Sequence, residues 1–164
     1  MIDRDAIRLS DELLTVMRAA ARYAVRFHEP FVSSRSVLLA LLDDPTIGSA
    51  LETVVSREKL EALPLPSDPR KGLMRIPEPG LISSEQAAIP RYDTLAFKLP
   101  DGSTSVWLGR DAYVMFNEGA QRAEGTYLPK HLAFGIAAEA LRSPGVLAEL
   151  RVEPGRLTDA IYNL

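Results

Sequence analysis

The chain has 164 residues, 46% of them hydrophobic, no cysteine, and a formal net charge of −3 from 19 Lys+Arg against 22 Asp+Glu. A chain of this length buries roughly 70% of the surface it exposes when unfolded, so one compact domain is expected, and the missing cysteines exclude disulfides, thiolate nucleophiles and Cys-containing zinc sites. No basic excess exists to neutralise a phosphate backbone, which argues against nucleic acid; the longest apolar run, Val37 to Leu42, is too short to span a bilayer, and the charged start lacks a secretory core, so a soluble cytoplasmic protein without membrane partners is expected.

Ser10-Asp11-Glu12 joins an N-cap to two acids where a helix dipole favours them. Leu13, Val16, Met17, Ala20, Ala24 and Phe27 continue as one apolar stripe, predicting a first helix that stops near Glu29, ahead of Pro30. Ser33 or Ser34 can cap a second helix carrying Val37, Leu38, Leu41 and Leu42 and ending at Asp43-Asp44-Pro45. Short helices are predicted over about 46–55 and 57–63, the latter capped by Ser56. Pro64, Pro66, Pro69, Pro77, Pro79 and Pro90 then interrupt helices and predict an extended surface connection, mobile in part. Thr94 to Leu99 and Thr104 to Leu108, around Pro100-Asp101-Gly102-Ser103, read as a β-hairpin. Because a lone two-stranded hairpin is marginal in water, Phe97 and Trp107 are expected to pack it onto the helical body or offer it to a partner. Four more helices are predicted over about 110–125, 129–142, 144–151 and 154–162, with Pro129 and Pro154 at first helical positions.

One helical pattern is therefore written twice, on either side of the Pro-rich middle. Shifted by roughly 96 residues, Val16, Met17, Ala20, Ala24 and Phe27 fall on Ala112, Tyr113, Phe116, Ala120 and Ala123, superimposing the apolar faces. The pattern resembles the N-terminal domain of Clp/Hsp100 ATPases, which is built from two Clp repeats. In that family a hydroxyl residue opens the first helix, two alanines stand one turn apart, an apolar residue follows eight further on, and a Glu-His pair opens a helix reading Leu-Leu-x-Ala-Leu-Leu. Ser10, Ala20, Ala24, Val32 and Val37-Leu38-Leu39-Ala40-Leu41-Leu42 match in register, and the second copy matches more loosely through Ala120, Leu128 and His131-Leu132. The resemblance covers about two thirds of the chain and implies a mainly α fold: two pseudo-twofold-related four-helix repeats, about 9–63 and 109–164. The insertion between them, about 64–108 and carrying the hairpin, is larger than the family's usual connection.

Two further departures bear on function. The Glu-His pair stands as Arg35-Ser36 and as Lys130-His131, so cations replace the acids that hold a phosphorylated arginine in one branch of the family, and that ligand is disfavoured. No Gly-x-x-x-x-Gly-Lys-[Ser/Thr] occurs, so ATP hydrolysis is not expected of this sequence. The two histidines, His28 and His131, lie far apart and form no His-x-x-x-His pair, so no metal or other cofactor is expected. Ser33, Ser34 and Ser36 read as helix caps with no general base beside them in sequence; Glu118, Glu124 and Glu139 read as solvated faces rather than paired catalytic carboxylates.

The resulting expectation is a non-catalytic protein-binding domain, monomeric or weakly self-associating. By resemblance it serves as an adaptor or accessory factor for a Clp-type chaperone or protease, or as a binder of client polypeptide. Phe31, Val32, Arg35, Tyr127, Leu128 and Lys130 are the candidate groove residues, and Phe97 and Trp107 the candidate contact surface of the insertion. The alternative is a small enzyme or ligand-binding regulator in which Phe97, Trp107, Arg91, Tyr92 and Asp93 line a pocket with His131 or Arg35. A purely structural oligomer subunit is the third reading.

Overall fold

The computed structural model describes residues 8–29, 32–64, 96–98, 105–107, 109–143, 145–162 and 164. Among them the chain is mainly helical, with α1 (Asp11–Arg26), α2 (Ser34–Leu42), α3 (Gly48–Glu52), α4 (Arg57–Glu61), α5 (Arg110–Ala120), α6 (Pro129–Arg142), α7 (Val146–Glu149) and α8 (Pro154–Tyr162). Four short strands accompany them: β1 (Arg8–Leu9), β2 (Ala96–Lys98), β3 (Ser105–Trp107) and β4 (Thr126–Tyr127).

The predicted caps set the helix starts. Ser10 Oγ accepts the Leu13 N–H at 3.0 Å, Ser33 Oγ accepts that of Ser36 at 3.2 Å, and Ser56 Oγ accepts that of Lys59 at 3.3 Å. Several helix ends fall short of expectation. α1 stops at Arg26, because His28 takes a left-handed φ of 56° and the Glu29 and His28 N–H groups turn back to the Ala24 and Val25 carbonyls at 2.8 and 3.1 Å. α5 stops at Ala120 rather than near 125; its end tightens through Arg122 N–H to Gly119 O and Ala123 N–H to Ala120 O, and Gly125, at φ 80°, then turns the chain into β4.

The β-hairpin is present as antiparallel β2 and β3, with Ala96 opposite Trp107, Phe97 opposite Val106 and Lys98 opposite Ser105, and β2 runs beside α1. The predicted turn, the Pro-rich connection beyond Pro64 and the side chains of Phe97 and Trp107 lie outside the described residues. A second pairing is new: β1 lies parallel to β4, Arg8 against Thr126 and Leu9 against Tyr127, so the start of the chain is bonded to a segment more than a hundred residues later. Two-residue strands carry too little alternation to be read from sequence.

The interior is one continuous apolar cluster. α2, buried at all nine positions, and α6 form its centre: α1 packs on α2, α5 and α8 pack on α6, and between the halves α2 meets α5 and α6, α1 meets α6, and α3 meets α8. The helix starts of the two halves are not related by one constant shift. α5 begins 99 residues after α1, whereas α6 begins 95 after α2, because α1 has 16 residues and α5 only 11. Leu13, Leu14, Val16, Met17, Ala19, Ala20, Ala21 and Ala24 are buried on the first helix, and the residues 99 further on, Ala112, Tyr113, Met115, Phe116, Glu118, Gly119, Ala120 and Ala123, are all buried too. Shifts of 96 and 99 residues differ by nearly one helical turn, so both lay one apolar face over the other.

Two glycines set the α5–α6 distance. A Cβ on Gly119 would run into the Tyr127 hydroxyl and come within 2.7 Å of the His131 carbonyl oxygen, and one on Gly135 would strike the Met115 carbonyl oxygen and sit 2.5 Å from the Gly119 nitrogen. Apart from the buried Tyr127 hydroxyl, the atoms met are backbone, so no flexible side-chain end can yield. Gly119→Ala and Gly135→Ala should each lower the unfolding free energy in urea by about 1–3 kcal/mol. Gly155→Ala, where a Cβ meets open space in the first turn of α8, should instead raise it by a few tenths to about 1 kcal/mol.

Candidate functional site

The candidate groove residues cluster around the N-termini of α2 and α6. Val32 immediately precedes the N-cap Ser33, and Tyr127 immediately precedes the N-cap Leu128. Each supplies a carbonyl to the other half: Gly109 N–H donates to Val32 O at 2.8 Å, and Ser10 N–H donates to Tyr127 O at 3.0 Å. Gly109 and Ser10 are the N-caps of α5 and α1, both at φ −69° and ψ 158°. A third link is made by Asp111, whose Oδ2 accepts the Ser34 N–H at 3.0 Å and so caps α2 from the neighbouring helix. At the corresponding position α6 has Pro129, which has no N–H to cap.

Burial separates the candidates. Val32 and Tyr127 are fully buried and Arg35 is 5% exposed, so these three face the interior and cannot line an open groove. Leu128 is half-buried, Lys130 is exposed, and Phe31 lies outside the described residues. Arg35 differs most from a solvated cation or an anion receptor. Its guanidinium pairs with Glu29 at 3.2 Å, donates to the Leu63 carbonyl, and lies over the Phe27 ring at 5.2 Å from its centroid. The Glu29 carboxylate also accepts the hydroxyls of Ser33, at 2.8 Å, and Ser36. A carboxylate therefore does stand beside these serines, contrary to the sequence reading. Its charge is spent on Arg35 and its side chain is wholly shielded from solvent, so the cluster joins the end of α1 to the start of α2 and exposes no activated hydroxyl. Glu29 was not legible as a partner because it lies beyond the end of α1 and outside α2, where no helical spacing relates it to Ser33 or Arg35.

In the other half the N-terminus of α6 is closed by a histidine. His131 Nδ1 accepts the Leu128 N–H at 2.9 Å, which requires that nitrogen to be unprotonated, and the ring stands edge-on to Tyr127 at 6.2 Å. Burial, aided by the Lys130 charge and opposed by Glu124, holds the imidazole below its ordinary value. Tyr127 donates its hydroxyl to Phe116 O at 2.6 Å, and burial pushes that phenol well above its usual range.

The remaining polar groups hold helices together. Glu118, buried on α5, pairs with Arg142 of α6 and with Arg122, and Arg142 also approaches Glu139 at 3.9 Å. Two of the three acids considered as a carboxylate pair thus share one guanidinium, while Glu124 is exposed. On the first half, Tyr23 donates to Asp43, and Arg57 bonds both Tyr23, at 3.1 Å, and Asp43, at 2.7 Å. Burial and the Asp43 hydrogen bond raise the Tyr23 phenol. Among the described residues no group of three or more His, Cys, Asp or Glu side chains is placed to hold a metal ion, and no helix is long and apolar enough to cross a membrane. The insertion residues of the alternative pocket, Arg91, Tyr92 and Asp93, lie outside the described residues. No protein-family model and no curated protein matches the chain.

Two expected outcomes test these assignments. Glu29→Ala leaves the Arg35 charge buried without its partner and should cost about 3–5 kcal/mol in chemical denaturation. For His131, the folded state disfavours the proton, so its contribution to stability is complete above the unfolded value of about 6.5 and is lost as pH falls through the lower folded value. The denaturation midpoint of the wild type should fall more steeply between about pH 7 and pH 5 than that of His131→Gln, whose amide oxygen keeps the cap and does not titrate in that range; equal slopes would remove the assigned role.

Proposed function

We propose that this chain is a non-catalytic protein-binding domain made of two Clp repeats related by a pseudo-twofold axis. It acts as an adaptor or accessory factor for a Clp-type chaperone or protease, or as a binder of client polypeptide, in the cytoplasm. The observation that carries the repeat reading is the reciprocal pair of hydrogen bonds, Ser10 N–H to Tyr127 O and Gly109 N–H to Val32 O, made by corresponding backbone positions of the two halves. The coincidence of all eight buried positions of α1 with those 99 residues later supports it further. A scaffold role is supported by the use of the polar interior: Glu29, Ser33, Arg35, Ser36, Asp44 and Glu118 all serve caps, turns or ion pairs between helices.

Binding then falls to the outer surface. Leu128 and Lys130 remain from the candidate groove as residues that reach solvent, at the seam where the halves meet. Affinity capture with crosslinking tests the reading, using the wild type beside a variant lacking roughly residues 70–105. Recovery of a Clp-type component or unfolded client polypeptide is the expected result, and loss of that partner in the deletion alone would assign the contact to the insertion. Repeated recovery of neither from a folded wild-type chain contradicts the proposal.

A further inference from the structure

We infer that the outer face of α1 docks an acidic protein segment through the guanidinium groups of Arg18, Arg22 and Arg26. These residues follow one another at four-residue intervals, a rise of about 6 Å per step, on the side of the helix away from Leu13, Met17, Ala20 and Ala24. Arg22 and Arg26 are exposed and Arg18 is half-buried. Among the described residues, none of these charges is paired. Arg35, Arg57, Arg122 and Arg142 each pair with a carboxylate, whereas no described carboxylate pairs with the α1 row, and Arg26 has only the Phe27 ring beneath it, at 5.5 Å.

The chemistry of the face selects among polyanions. A strand of nucleic acid is gripped through aromatic stacking as well as charge. Here Tyr23 is bonded to Asp43 and Arg57, and Phe27 lies beneath Arg26 and Arg35, so neither ring is free to stack on a base. A membrane-surface helix needs a broad apolar face beside its cations, and the one large apolar side chain exposed on α1 is Val25, at 46%. Carboxylates repeated once per turn on a partner helix match the 6 Å step, and the guanidinium fork accepts a carboxylate bidentately. This inference rests on the protein-binding reading and gives it a partner chemistry, but a partner captured through another face would leave that reading standing while removing this one.

The test is fluorescence anisotropy with a labelled helical peptide of about 20 residues carrying glutamate at every fourth position, against the wild type and Arg18→Gln/Arg22→Gln/Arg26→Gln. Controls are a single-stranded DNA of equal charge and phosphatidylserine-containing vesicles. The peptide should bind the wild type, weaken as salt rises, and bind the triple variant about tenfold or more weakly. Circular dichroism should show the variant folded, and Arg22→Gln alone should give a smaller loss in the same direction. The inference is overturned if the peptide does not bind, if the triple variant binds it as tightly as the wild type, or if DNA or vesicles occupy the row more tightly than the peptide.

Discussion

Two backbone amides at helix starts, those of Ser10 and Gly109, find their acceptors in the opposite half of the molecule. A buried N–H group without a partner costs as much as a lost hydrogen bond. The carbonyls that answer, Tyr127 O and Val32 O, belong to residues that must stay extended just ahead of α6 and α2. Each half therefore holds the other's two longest helices in register. From this follow the parallel β1–β4 pairing, the capping of α2 by Asp111, and the meeting of α2 and α6 at the centre of a single apolar cluster.

Around that shared framework the halves diverge in how they treat polar groups. The first closes the α1–α2 junction with a buried ion pair and two hydroxyls; the second uses a neutral histidine and a proline at the start of α6. Replacing one partner of a buried pair is costly, while neutral caps are cheaper and easier to exchange. The helix crossings differ in the same sense. α5 and α6 approach until Gly119 and Gly135 leave no room for a Cβ, whereas the positions 99 and 95 residues earlier, Ala20 and Ala40, carry a methyl group each. The buried Tyr127 hydroxyl lies beside the α5–α6 crossing.

Helix existence and helix starts were legible because they depend on local chemistry: Ser10, Ser33 and Ser56 cap as their side chains dictate, and Pro129 and Pro154 open helices as their fixed φ favours. Helix ends were less so, since the left-handed His28 is neither glycine nor asparagine and carries no compositional mark. Apolar periodicity alone does not fix a register between the halves, because shifts of 96 and 99 residues, nearly a turn apart, both superimpose apolar faces. Arg35 was misplaced for a different reason. Its exposure is decided by Glu29, Leu63 and Phe27, which fold around it only after the chain has reversed, so no spacing rule could have found the pair. The candidate groove suffered accordingly, with Val32, Arg35 and Tyr127 turned inward and Leu128 and Lys130 left at the surface.

In this account the interior is devoted to holding two halves together, and recognition is left to surfaces such as the arginine row of α1. Its central claim is that neither half is stable without the other. Native-state hydrogen exchange under increasing denaturant measures this directly at the amides of Ser10 and Gly109 and at core amides such as Leu38 and Ile136. Mutual support predicts that all four converge on one opening free energy, equal to that of global unfolding. Exchange of Ile136 through a separate, lower-energy opening, with Leu38 still protected, would contradict it.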